Sequence, residues 1–101
     1  MEFNNLVCEK ITELAESAFA PARIAFMLDI EPAQFRLMIE DLNHPASIAY
    51  YKGFFTNENA VRKSIMQLAR NGSSPAQTLA MQMIERTKTE MRNEGYQSID
   101  T

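Results

Sequence analysis

Tryptophan is missing from the chain, cysteine and histidine occur once each, and only three glycines are spread over 101 residues. Each scarcity removes a class of function. Cys8 has no second cysteine for an internal disulfide, and its place on an apolar helical stripe makes it a small hydrophobe or helix-flank residue. A solitary cysteine also agrees with a reducing compartment. His44 stands beside Pro45 with no further histidine or cysteine to complete a metal set, so it reads as a cap or loop residue. No metal or other cofactor is expected. The glycines are isolated, which leaves no loop to cradle a phosphate, and no Ser/His/Asp constellation stands in for one. Carboxylate pairs such as Glu40 and Asp41 sit on a solvated helix end with nothing to raise one pKa. The chain is therefore expected not to be an enzyme.

Long apolar runs are lacking too. The longest, such as residues 24–28, fall far short of the roughly 20 residues that a bilayer-spanning helix needs. Residues 1–5 are polar and lack a basic start followed by an apolar core, so no secretory leader is expected. These two readings predict a soluble, cytoplasmic protein with no membrane partner. Positive charge is scarce in the first part of the chain. Residues 1–44 carry Lys10, Arg23 and Arg36 against Glu2, Glu9, Glu13, Glu16, Asp29, Glu31, Glu40 and Asp41; residues 45–101 carry seven bases against five acids. A duplex repels an acidic surface, so the balance opposes the simplest DNA-binding reading of the first half.

What is present is helical punctuation. With 46% hydrophobic and 23% charged residues the chain has the composition of one globular domain, or of one small domain with an appended element. Each of its four prolines is followed by alanine: Pro21-Ala22, Pro32-Ala33, Pro45-Ala46 and Pro75-Ala76. Proline suits the first turn of a helix, where its missing N–H has no partner to lose, and alanine propagates the helix. In "GSSPAQTLA" Ser74 is expected to cap, with Gln77 returning to it in a capping box, while Gly72 ends the preceding helix.

A fifth helix precedes the first proline. Val7, Ile11, Leu14, Ala15 and Ala18 form its apolar stripe, and Asn4 or Asn5 is its cap. Tyr50, Phe54, Val61, Ile65 and Leu68 recur near a 3.5-residue spacing, interrupted where Asn57 takes the expected apolar place, which favours one long helix over 46–70, straight or bent; Gly53 and "TNEN" are the alternative place for a break. No stretch alternates as a strand would. The chain is thus expected to be all-α, with helices at about 6–19, 21–28, 32–42, 46–70 and 75–93. Residues 1–44 make a tri-helical unit, residues 45–93 an αα-hairpin, and residues 94–101 a loose tail.

The stretch "FMLDIEPAQF" turns between the second and third helices as a helix-turn-helix does, with Ile24, Leu28, Ile30, Phe35, Ile39 and Leu42 placed to lock the crossing angle. With Phe35, Met38, Ile39 and Leu42 inward, a 100° step per residue turns Ala33, Leu37 and Glu40 outward and puts Gln34 and Arg36 on the flanks. Gln34 suits adenine, Arg36 suits guanine or phosphate, and Ala33 or Leu37 suits a thymine methyl. Glu40 and Asp41 would repel phosphates, and an outward Leu37 suits a protein contact equally well. Tyr50, Tyr51, Phe54 and Phe55, with Lys52 among them, are read as core or subunit interface in preference to a base-stacking platform.

The order of a small helix-turn-helix unit followed by "IAYYKGFFTNENAVRKSIMQLARNGSSPAQTLAMQMIE" resembles the small terminase subunits and related DNA-packaging helix-turn-helix proteins of tailed bacteriophages and prophages. The resemblance covers roughly residues 6–90 and is most telling in "LARNGS" followed by "SPAQTLAMQMIE". It implies a non-catalytic subunit in the cytoplasm of a bacterial host that recognises double-stranded DNA, assembles as a ring-like homo-oligomer larger than a dimer, and presents DNA to a separate large terminase subunit. Gln34 and Arg36 would be its base or phosphate contacts and Arg23 a backbone contact. The resemblance assigns oligomerisation to the hairpin of residues 45–93, where Tyr50, Phe54, Val61 and Ile65 would lie in the core or between protomers. Two further readings stand beside this one. The first is a small helix-turn-helix transcriptional regulator, a dimer on two half-sites; the second is a protein-interaction module in which Ala33, Leu37 and Glu40 form a partner surface without DNA.

Overall fold

The computed structural model describes residues 4–97, which hold five α-helices and no strand. They are α1 (Asn5–Glu16), α2 (Pro21–Met27), α3 (Pro32–Glu40), α4 (Pro45–Arg70) and α5 (Ser74–Asn93). The chain divides into two compact units, Met1–Ala60 and Val61–Thr101. The division falls inside α4, which is one continuous helix. It thus lies well beyond the boundary after residue 44 that the sequence led us to expect. The cause is burial: Ala46, Ser47, Ala49, Tyr50 and Gly53 on the first turns of α4 are buried, and most of them belong to the core of the first three helices.

In the first unit, Asn4 caps α1 by accepting the Val7 N–H at 3.0 Å. α1 stops at Glu16, short of residue 19, because Ala18 adopts φ 64°, a left-handed conformation that no helix continues through. α2 ends through a similar device. Asp29 takes φ 57°, its N–H donates to Phe26 O, and the Ile30 N–H reaches back to Ala25 O at 2.9 Å. This paired arrangement satisfies the last carbonyls of α2 and drops Ile30 into the core. Glu31 then caps α3, its carboxylate accepting the Gln34 N–H at 2.9 Å.

The core contains Ile11, Ala15, Ile24, Phe35 and Ile39 from the first three helices, closed by Ala46, Ala49 and Tyr50 of α4. Phe35 is fully buried, a contribution of about 2–3 kcal/mol on the usual scale of apolar transfer. Leu42, expected inward, is 69% exposed. α3 has ended two residues earlier, and Asp41 in extended conformation turns the following chain off the helical phase. His44 acts as the cap read from the sequence, its Nδ1 accepting the Ala46 N–H at 3.0 Å. Side chains also bind backbone carbonyls of other segments, among them Ser47 on Ile39 O (2.8 Å), Thr12 on Ala49 O (3.0 Å) and Tyr50 on Phe19 O (3.1 Å).

The second unit is a helical hairpin. Gly72, at φ 98°, lets the Ser73 N–H return to Leu68 O and so ends α4. The cap of α5 is Ser73, whose hydroxyl accepts the Ala76 N–H. Ser74 is instead the first helical residue, and Gln77 makes no capping box. Its amide reaches across the turn to Ala69 O at 3.0 Å and ties the two helices together. The expected loose tail is ordered at its start: Gly95, at φ 101°, closes α5 with Tyr96 N–H on Met91 O. Residues 98–101 of that tail lie outside the described residues.

Candidate nucleic-acid interface

The turn of residues 28–31 sets α3 against α2, and the buried Ile30, Phe35 and Ile39 fix which side of α3 faces out. Ala33, Gln34, Arg36, Leu37 and Glu40 are all exposed on it. Leu37 is 68% exposed, as its helical phase predicts. The Arg36 Nε donates to Glu40 Oε1 at 3.0 Å one turn along the same helix, in an ion pair whose side chains are 79% and 58% exposed.

The first turns of α2 and α3 converge. Ala20, Pro21 and Ala22 from one side and Pro32, Ala33 and Arg36 from the other line a single concavity whose surface is mostly apolar. Arg23 stands in the first turn of α2 with its guanidinium over the Phe19 ring, 5.8 Å from the centroid. Such a contact restrains the side chain and leaves its charge in place. Arg23 thus lies at the start of α2, and Gln34, Arg36 and Leu37 lie along the exposed side of α3, in one unit.

Two participants escaped the sequence reading. Phe26, on the outer side of α2, is 81% exposed. Two residues beyond the inward Ile24 it falls on the opposite side of α2, a phase that was legible in the sequence and went unread. Glu40 was read as a phosphate-repelling acid and as part of a protein-partner surface, although its i,i+4 spacing from Arg36 is also a signal for an ion pair.

The four residues expected at an oligomer interface separate between the units. Tyr50 is buried in the core of the first, which corrects its placement in the hairpin or between protomers: its hydroxyl is committed to Phe19 O and its ring stacks on Phe54, 6.0 Å between centroids. Burial, reinforced by neighbouring Tyr51, raises the Tyr50 phenol above its ordinary pKa. Phe54 packs half-buried on the same core. Val61 is exposed and Ile65 half-buried, both in the second unit.

Among the described residues no group of three His, Cys, Asp or Glu side chains is placed to hold a metal ion, and no helix is long and apolar enough to cross a membrane. No family model, curated protein or solved structure matches the chain.

Proposed function

We propose that the chain is a non-catalytic DNA-binding subunit of the phage-packaging type, in which the first unit contacts duplex DNA and the hairpin joins copies into an oligomer. The observation that carries the first half of this reading is the convergence of the α2 and α3 starts around Pro21, Ala22, Pro32, Ala33 and Arg36. In a helix-turn-helix those two starts meet the DNA, the recognition helix entering the major groove and its partner crossing the backbone. Gln34, Arg36 and Leu37 are then the base-facing side chains and Arg23 a phosphate contact. The acids of this unit keep the affinity of one copy low. Linking many copies raises the effective concentration of each weak site and offsets that repulsion.

Support for assembly comes from the hairpin itself. Ala76 and Ala80 are the buried residues of α5, which is a small core for two helices. Helical phase divides the remaining apolar residues between two flanks. On one, Met66 and Met81 border a groove floored by Ala69 and Ala80. On the other, Val61, Ile65 and Leu68 of α4 share a side with Leu79 and Met83 of α5. Val61, Leu68, Leu79 and Met81 are exposed. Two flanks of unlike composition favour head-to-tail contacts with two neighbours, and such contacts close into rings larger than a dimer. A large terminase subunit as the partner of the assembled ring completes the proposal.

The exposure of Phe26 and Leu37 favours one competing reading, a protein-interaction module, because an apolar surface of this kind also suits a protein partner. Light scattering on the full chain at tens of micromolar, followed by titration of a labelled duplex, separates the two. The packaging reading requires an oligomer above dimer and salt-sensitive duplex binding. A strict monomer that ignores DNA would leave the interaction module.

A further inference from the structure

We infer that Glu40 is a positioning residue for Arg36: it aligns the guanidinium to read a guanine edge in the major groove, and its charge lowers affinity for duplex of any sequence. This rests on the DNA-binding reading above and adds to it the base that is read and the residue that sharpens the reading. The Arg36–Glu40 contact is a 3.0 Å hydrogen bond through Nε, between side chains that are both largely exposed. Their i,i+4 spacing brings the two groups together, and exposed ion pairs contribute little to stability, so the fold does not depend on this one.

What the contact changes is the arginine. A carboxylate on Nε leaves the two terminal nitrogens as the donor pair that matches guanine O6 and N7. A guanidinium held on its own helix has also surrendered part of the rotamer freedom that a free arginine would lose on binding. The neighbourhood favours this use. Arg36 edges the concavity formed by Pro21, Ala22, Pro32 and Ala33, and none of those side chains carries a donor or acceptor to compete for the base. Glu40 meanwhile brings negative charge to the face that must approach phosphates, which weakens binding wherever the protein lands. One carboxylate thus exchanges general affinity for selectivity.

Two substitutions separate the effects. Glu40→Ala removes both charge and acceptor, whereas Glu40→Gln removes the charge and keeps an acceptor oxygen within reach of Nε. The full-length wild type, both variants and Arg36→Ala are each used to select from a duplex library with a randomised core, and affinity for the unselected library is measured alongside. The wild type is expected to enrich guanine at one fixed position by about tenfold over the other bases, the discrimination of one bidentate contact. Glu40→Gln keeps most of that preference, while Glu40→Ala and Arg36→Ala lose it. Both Glu40 variants bind the unselected library about threefold tighter, the scale of one exposed charge interaction. Guanine enrichment that is absent from the wild type, or undiminished in Glu40→Ala, overturns the inference and leaves DNA binding standing. A wild type that retains no duplex overturns the underlying reading as well.

Discussion

Gly53 of α4 lies directly against Thr12 of α1: a Cβ at Gly53 would strike the Thr12 carbonyl oxygen and press on the Ala15 Cβ. The glycine lets these helices approach closely at this point, and the bond from Thr12 Oγ1 to Ala49 O lies one turn away. In an exposed helix, alanine in place of glycine would stabilise by about 1 kcal/mol. Here the obstruction is backbone, which cannot swing aside, and overpacking of this kind costs about 1–3 kcal/mol. Gly53→Ala is therefore expected to lower stability by up to about 2 kcal/mol net, read as a lower urea midpoint with an unchanged slope.

Tyr50 gives a pH dependence with a defined sign. Its phenol is neutral in the folded state and its pKa is raised by burial and then by Tyr51. The unfolded chain releases that proton near pH 10, so the stabilisation is fully present below that pH and is lost as pH rises through the higher folded value. Stability should fall above about pH 10, and Tyr50→Phe should flatten that part of the curve. The same variant leaves Phe19 O without the hydroxyl and should cost about 1 kcal/mol at neutral pH. Urea titrations at pH 7 and across the alkaline range measure both effects.

Leu68 and Leu79 test the assembly face. Each is exposed on its helix, so changing either to serine removes little from the fold of one chain. Burying a leucine contributes about 1.5–3 kcal/mol, so each substitution should weaken self-association by about tenfold or more. Sedimentation of Leu68→Ser/Leu79→Ser should show smaller species whose helical circular dichroism stays close to that of the wild type. An unaltered size distribution would place the subunit contact elsewhere.

Arg23 and Arg36 should contribute differently to DNA binding. As a phosphate contact, Arg23 acts on every sequence alike, so Arg23→Ala should reduce the salt slope by about one with no change in base preference. Arg36→Ala should reduce affinity and also flatten the preference at one position. Competition binding on duplexes of differing sequence, at two salt concentrations, distinguishes these outcomes.

The helix starts were legible because proline and alanine report on local chemistry. Pro21 and Pro32 open their helices, and Asn4 caps α1 as its side chain suggests. Helix ends were harder. Ala18 and Asp29 adopt left-handed conformations with no glycine to announce them, so the periodic stripes were carried too far. Leu42 was assigned inward because the α3 stripe was carried past Glu40, where Asp41 turns extended. The unit boundary was invisible for another cause: the 3.5-residue spacing along α4 runs from Tyr50 to Leu68 with one interruption at Asn57, and periodicity cannot say which partner covers each turn. On the site face, the outward phase of Leu37 followed from the stripe that buries Phe35 and Ile39. The pairing of Arg36 with Glu40 was signalled by their i,i+4 spacing and went unread, whereas the convergence of two helix starts on one concavity needed three-dimensional placement.

The most direct test of the DNA-binding claim is fluorescence anisotropy of a labelled duplex titrated with the full chain at several salt concentrations. The account predicts binding that weakens steeply as salt rises, and that is lost in the Arg23→Ala/Arg36→Ala double variant. No binding by the wild type even at low salt would contradict it and assign the exposed face of α3 to a protein partner.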